Sequence, residues 1–322
     1  MHIVRRMAPK VAGLVAIVLI VSFLTFSLTK ILPGDPVTFL LGPESTNEEL
    51  RSALEEDLGL DKPFLEQYFL YIEGVVTEGD FGKSYQQDTP TTTLMAQRLP
   101  ATIQLMIMAQ LLSLAISIPL ALYSAYRANS RADKAITAGA FGAISLPGFA
   151  LAPFLVAVFA LQLGWLPAIG YDRITGPGGI SENLRSVALP VLVLTVGLSA
   201  VYTRLLRSDL IATLQEDFVM MARSKGLPTW HILVRHALRP SSFSLVTVFG
   251  LNFGALIGGT IVVESFFGIP GIGVLAAESI ARREYLVVQG TVLLIATVFV
   301  LINFLTDLVY SLLDPRVRRA GV

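Results

Sequence analysis

Three short runs have residue types and spacings that could do chemistry, and their neighbours count against each. Gly82-Lys83-Ser84 reads as the end of a phosphate-binding loop, in which backbone N–H groups and a lysine hold phosphates. That loop needs a glycine five residues before Gly82, and Thr77 stands there. Gly271-Ile272-Gly273-Val274-Leu275-Ala276 matches a loose dinucleotide fingerprint, but no strand–turn–helix unit surrounds it. Residues 266–273 read better as a Pro/Gly-rich turn or re-entrant element. His231 and His236 suit a metal, yet five positions on an α-helix turn them roughly 140° apart, so they are expected on different faces. No carboxylate pair or Ser/His/Asp set appears in the apolar stretches. The chain has no cysteine, which excludes disulfides, thiolate zinc sites and thiol nucleophiles. The chain is not expected to be an enzyme or to hold a metal or cofactor.

A fourth stretch has a different character. Residues 204–240 carry Arg204, Arg207, Arg223, Lys225, Arg235 and Arg239 between two long apolar runs. Glu216 and Asp217 open a turn, and helical phasing then brings Phe218, Met221 and Ala222 together. Gly226-Leu227-Pro228 breaks the helix, after which Trp230, Leu233, Val234 and Ala237 form a second amphipathic face. Phasing alone leaves two readings open: an amphipathic pair lying on anionic lipid, or a short helix presented to a soluble partner.

The surrounding chain is built for lipid. Of 322 residues, 53% are hydrophobic and 15% charged, with mean hydropathy +0.67; a soluble domain carries about 25% charged residues. The fold class is all-α integral membrane. A span needs about 20 apolar residues, and six stretches qualify: 11–28, 103–126, 135–163, 187–206, 243–263 and 287–312. Pro119, Pro147 and Pro153 lie within the second and third. With six alternating spans, Arg5, Arg6 and Lys10, then Arg127, Arg131 and Lys134, the 204–240 basic cluster, and Arg316, Arg318 and Arg319 all fall on one side. Basic loops mark the cytosol, so both termini are expected there, despite Arg282 and Arg283 on the other side. No small-residue cleavage site follows the first apolar run, so it reads as a retained helix rather than a signal peptide. Residues 33–100 form an expected outer helical subdomain. Ser45 with Glu48 reads as a capping box, Leu50, Leu54 and Leu58 share a face, and Gly59 is a stop. A second helix with an aromatic face follows Pro63. This subdomain either caps the membrane region or also docks an outside partner.

Some polar and small residues stand out inside the spans. Gln104, Gln110, Asn252, Asn303 and Asp307 either line a translocation path or bond between helices. Asn303 and Asp307 share a face at i, i+4. Gly250, Gly254 and Gly258 recur every four residues and let a helix approach closely, within the chain or on a second transmembrane subunit.

The run Ala222-Arg223-Ser224-Lys225-Gly226-Leu227, followed by His236-Ala237-Leu238-Arg239-Pro240, resembles the permease subunits of binding-protein-dependent ABC importers. Within these it is most similar to the B-type subunit of the peptide/nickel (dipeptide/oligopeptide) branch. The broader importer motif begins Glu-Ala-Ala; here Met220 and Met221 replace the first two, and Arg239 stands where a proline is usual. Further matches are Leu32-Pro33-Gly34-Asp35-Pro36, Leu58-Gly59-Leu60-Asp61-Lys62-Pro63, Gly79-Asp80-Phe81-Gly82, Arg98-Leu99-Pro100-Ala101-Thr102, Pro270-Gly271-Ile272-Gly273 and Asp314-Pro315-Arg316. The resemblance spans essentially the whole chain. It implies the six-helix type I ABC importer permease fold and ATP-driven import of di- and oligopeptides across a bacterial cell membrane. Nickel chelates, glutathione and oligosaccharides are the alternative cargoes; a secondary transporter or a membrane scaffold is more remote. It implies that Glu216, Asp217, Met221, Ala222, Arg223, Lys225, Gly226 and Leu227 form an ATPase-coupling segment. The implied partners are a C-type permease, two ATP-binding subunits holding ATP and Mg, an extracytoplasmic peptide-binding protein and lipid; no nucleic acid is implied. The division implied is 1–32 (N-terminus and first helix), 33–100 (outer subdomain), 101–312 (five helices with the 204–240 loop) and 313–322 (basic tail).

Overall fold

The computed structural model describes residues 2–31, 37, 41, 47–57 and 61–313. Eleven helices follow in chain order among them. They are α1 (His2–Ile31), α2 (Glu48–Asp57), α3 (Phe64–Thr77), α4 (Thr91–Tyr126), α5 (Arg131–Ser145), α6 (Gly148–Gln162), α7 (Gly179–Thr213), α8 (Asp217–Ser224), α9 (Thr229–Phe267), α10 (Ile272–Ala281) and α11 (Tyr285–Leu313). Five of the six apolar stretches lie on unbroken helix, and the third, 135–163, is divided at 146–147 between α5 and α6. By length and composition α4, α7, α9 and α11 can each cross a membrane, and α5 with α6 make a fifth if counted as one broken span. The described apolar part of α1, Ala12–Leu28, is shorter than the others. Ser45, Gly59 and the tail 314–322 lie outside the described residues.

The prolines act differently according to position. Pro119 sits within an unbroken α4. Pro147 ends α5, because proline drives the preceding residue out of helical geometry: Leu146 is extended (φ −88, ψ 116) and the chain bends by 102°. Pro153, inside α6, lacks the N–H of a normal helical bond, and the helix continues from Val156 in wider π turns.

The chain divides into two compact units. The first comprises residues 1–100 and 270–301. There α2 is capped by Asn47, whose Oδ1 accepts the N–H of Glu49 (3.1 Å) and Leu50 (3.4 Å). The aromatic face of α3 packs on α1: Tyr68 lies 5.2 Å from Phe23 and 5.5 Å from Phe26, and Phe64 lies 5.3 Å from Phe26. The Tyr68 hydroxyl is 2.8 Å from Ser22 Oγ. The Gly82-Lys83-Ser84 run leads into a tight turn at 85–87, and the segment from Ser84 does bind an anion, the protein's own Glu284. That buried carboxylate accepts Ser84 Oγ (2.9 Å) and the N–H groups of Tyr85 (2.8 Å) and Gln86 (3.0 Å). Burial, with the nearby Glu284 charge second, pushes the Tyr85 hydroxyl up to about 12. Gly82 has φ +78, and a Cβ there would fall 2.7 Å from Leu286 Cδ1. The 266–273 element is the left-handed cap of α9 at Gly268 and a short link; α10, a ten-residue apolar helix starting at Ile272, was not expected.

The second unit comprises residues 101–269 and 302–322. One core joins Leu105 and Ala109 of α4, Leu155 of α6, Val187 to Val193 of α7, and Val263 and Phe267 of α9. A second joins Ala121, Leu122 and Ala125 of α4, Tyr202, Leu206 and Leu210 of α7, and Leu233, Ala237 and Leu245 of α9. Their large side chains are almost wholly buried, so α4, α7 and α9 form one block.

Candidate functional site

The 204–240 segment is shorter as a loop than its sequence suggested. Residues 204–213 are the end of α7, and 229–240 are the start of α9, which runs unbroken to Phe267. Only 214–228 stand outside the two long helices, and they hold α8. Glu216, extended at φ −71 and ψ 150, starts α8, and its carbonyl accepts the N–H of Val219 (3.0 Å) and Met220 (3.3 Å). Asp217 lies in the first turn and Arg223 in the last, each complementing the helix dipole. The end is a Schellman motif: Gly226 N–H bonds Arg223 O (2.9 Å) and Leu227 N–H bonds Ala222 O (3.4 Å). Gly226 supplies the required φ of +76, with no atom within 4 Å of a built Cβ.

An eight-residue helix is marginal alone, so packing must hold α8. Val219 and Ile232 are 0% exposed and, with Ala222, Leu214 and Leu227, form a small apolar core. Burying Val219 and Ile232 contributes roughly 1.5–3 kcal/mol each. This corrects the expected phasing: Ala222 turns inward with Val219, while Phe218, Met220 and Met221 are exposed (Met221 60%). Arg223, Ser224, Lys225 and Gly226 are also exposed.

His231 and His236 correct a second expectation. Residues 232–237 are π-helical, and the wider turn brings the two rings onto one face with centroids 5.7 Å apart. Among the described residues no group of three His, Asp or Glu forms a metal cluster.

Sequence reasoning missed one charged node. Asp133 on α5 is 2% exposed, and the fork of Arg207 on α7 grips it, Nε at 2.6 Å from Oδ1 and Nη2 at 2.8 Å from Oδ2. The same carboxylate accepts Ser124 Oγ from α4 and the Asn129 N–H (2.7 Å). Its one sequence signal is Ser130 three residues before Asp133, and Ser130 Oγ does cap α5 by accepting the Asp133 N–H (3.2 Å).

Residues 117–319 match the family described as binding-protein-dependent transport system inner membrane component, and residues 2–106 match its N-terminal companion. The chain belongs to this permease family. A putative peptide transport system permease protein of Brucella abortus is 36% identical over 310 residues, covering 96% of this chain and 97% of the relative. A probable peptide ABC transporter permease protein of Sinorhizobium fredii is 33% identical, covering 98% and 99%. The glutathione transport system permease protein of Escherichia coli K12 is 34% identical, covering 96% and 97%. A chain of the MetNI methionine ABC transporter, in inward-facing conformations, shares the fold at TM-score 0.56 and 15% identity, over 69% of this chain and 97% of that one.

In this permease the intramembrane polar residues separate into groups. Gln110 is buried, accepts Tyr202 OH (2.7 Å) and donates to Phe249 O (3.3 Å), so it joins α4, α7 and α9. Gln104 accepts Tyr171 OH (2.9 Å) and bonds Asn183, which donates to Asp172 O (2.6 Å). It thereby ties the 163–178 loop to α4 and α7. Both glutamines serve interhelical bonding. Asn252 is half-buried on α9. Asn303 is half-buried and Asp307 exposed. The glycine repeat divides likewise. A Cβ at Gly250 would lie 2.1 Å from Thr306 Oγ1, so Gly250 packs within the chain; Gly254 is buried, and Gly258 has open space.

Proposed function

We propose that this permease is the B-type half of an ATP-driven importer of di- and oligopeptides, working with a C-type permease, two ATP-binding subunits and an extracytoplasmic peptide-binding protein. The observation that carries the reading is α8. Its apolar seat at Val219, Ala222 and Ile232 faces inward, and a ridge of Met220 and Met221 faces outward, with Phe218 exposed to one side. Glu216 and Asp217 precede that ridge, and Arg223 and Lys225 follow it. An exposed apolar ridge with charges at both ends suits a protein cleft. Residues 216–227 are then the coupling segment, both termini and α8 face the cytosol, and residues 33–100 form the outer subdomain. ATP and Mg belong to the partner subunits.

ATP binding by the partners would draw two such segments together and reorient the spans. A ligand shifts such an equilibrium only by its differential affinity for the two states, so α8 must meet the ATPase differently in each. Peptides are favoured as cargo because peptide permeases recur among the similar proteins, and glutathione is itself a tripeptide. The test is uptake into proteoliposomes holding the complex, against a series of peptide lengths. ATP-dependent uptake of two- to five-residue peptides is expected; uptake of none of them would contradict the assignment of cargo.

A further inference from the structure

α5 has only a thin apolar seat, in which Ala140 is buried and Ile136 and Ala143 are half-buried. Its buried residues are Asp133 and Ala140, while Phe141 and Ile144 are exposed. Two arginines on one face of α7 add directional contacts: Arg207 through the bidentate fork on Asp133, and Arg204 with its guanidinium carbon 5.1 Å from the centroid of the Phe141 ring. Because Asp133 also takes Ser124 from the last turn of α4, one carboxylate joins three helices. The far end of α5 is the 102° break before α6, and α6 is anchored separately by Ala152 and Leu155. Beyond Arg207, α7 continues to Thr213, whose hydroxyl meets Ser241 Oγ of α9 at 2.9 Å, and α8 follows.

We propose that the Asp133–Arg207 joint, supported by Arg204 on Phe141, is the latch that carries displacement of α8 to the bent α5–α6 span. The proposal rests on the reading of α8 as the ATPase-docking helix. Apolar surfaces tolerate sliding, whereas a planar fork on a carboxylate has one favoured geometry. Movement of the end of α7 therefore takes α5 with it as long as the fork is closed, and the break at Pro147 is the place where α5 can swing against the anchored α6. Arg207 and Asp133 are positioning residues, touching neither cargo nor nucleotide.

The test has two arms. In the reconstituted complex, Asp133→Asn, Arg207→Ala and Arg207→Lys should leave ATPase attachment and basal ATP hydrolysis within twofold of wild type. Peptide taken up per ATP hydrolysed should fall at least fivefold. The exchange Asp133→Arg with Arg207→Asp should recover part of it. An unchanged ratio overturns the latch, as does a loss of assembly that the exchange fails to repair, since that describes a folding staple. The second arm needs no partner. The chain has no cysteine, so spin labels at Ala138→Cys on α5 and Ser208→Cys on α7 report the joint directly. Asp133→Asn should broaden their distance distribution, and an unchanged distribution overturns the latch. Failure of any ATPase to attach to the wild-type complex would instead count against the docking reading.

Discussion

α8 and α5 are both short helices held close to the last turns of α7, and only one of them is held by a buried ion pair. α8 sits on Val219, Ala222 and Ile232, an apolar seat with no ion pair among the described contacts. α5 adds to a thin apolar face, Ala140 with half-buried Ile136 and Ala143, the buried carboxylate of Asp133 in the fork of Arg207. Apolar burial gives cohesion in proportion to area and little direction. A bidentate ion pair gives direction, and losing one partner strands the other. The difference fits a helix that must stay on its block while its outer ridge meets a changing partner, beside a helix that must follow its neighbour in a fixed register.

The contrast can be broken in several ways. The largest effect is expected at Gly226, where Gly226→Val would put a β-branched residue at φ +76. ATP-driven uptake should fall more than tenfold with membrane insertion retained; normal uptake would remove the coupling role from this turn. Next, Ile232→Ala opens the seat of α8 at about 2–5 kcal/mol for a large-to-small core change. Hydrogen exchange of the 217–224 amides should rise by an order of magnitude or more while those of α5 stay unchanged. Conversely, Asp133→Asn should raise exchange in 131–145 and leave α8 alone. If either variant loosens both helices together, the two attachments are not separate. The smallest effect is expected from Asp217→Lys, which opposes the helix dipole by about 0.3–1 kcal/mol and alters a charge beside the ridge. ATPase co-purification should drop severalfold, and unchanged recovery would favour lipid contact for this helix.

Much of this architecture is legible from residue order alone. Apolar runs locate the helices, because each must satisfy its own backbone in lipid, and Gly226-Leu227-Pro228 announces the end of α8. The phasing of α8 is harder to read. On eight residues, Phe218 and Val219 are adjacent candidates for the inner face, and only the position of Ile232 decides between them. The π turns are hidden too, since an α-helical repeat separates His231 from His236 and a slipped hydrogen-bond register reunites them. Asp133 and Arg207 lie 74 positions apart, each resembling an ordinary loop charge, and no local pattern pairs them. Gln104 and Gln110 stand out as polar residues in apolar runs, but whether such a side chain faces water or another helix depends on partners such as Tyr171 and Tyr202.

The central claim is that the outer ridge of α8 meets an ATP-hydrolysing subunit. The absence of cysteine allows a direct measurement: Met221→Cys in the assembled complex, carrying a short photo-crosslinker, with Gln87→Cys in the 82–90 turn as the control position. A covalent adduct between position 221 and the ATP-binding subunit is expected, its yield changing when ATP is added, and none from position 87. An intact complex in which position 221 reaches only lipid, or in which position 87 captures the ATPase, would contradict it.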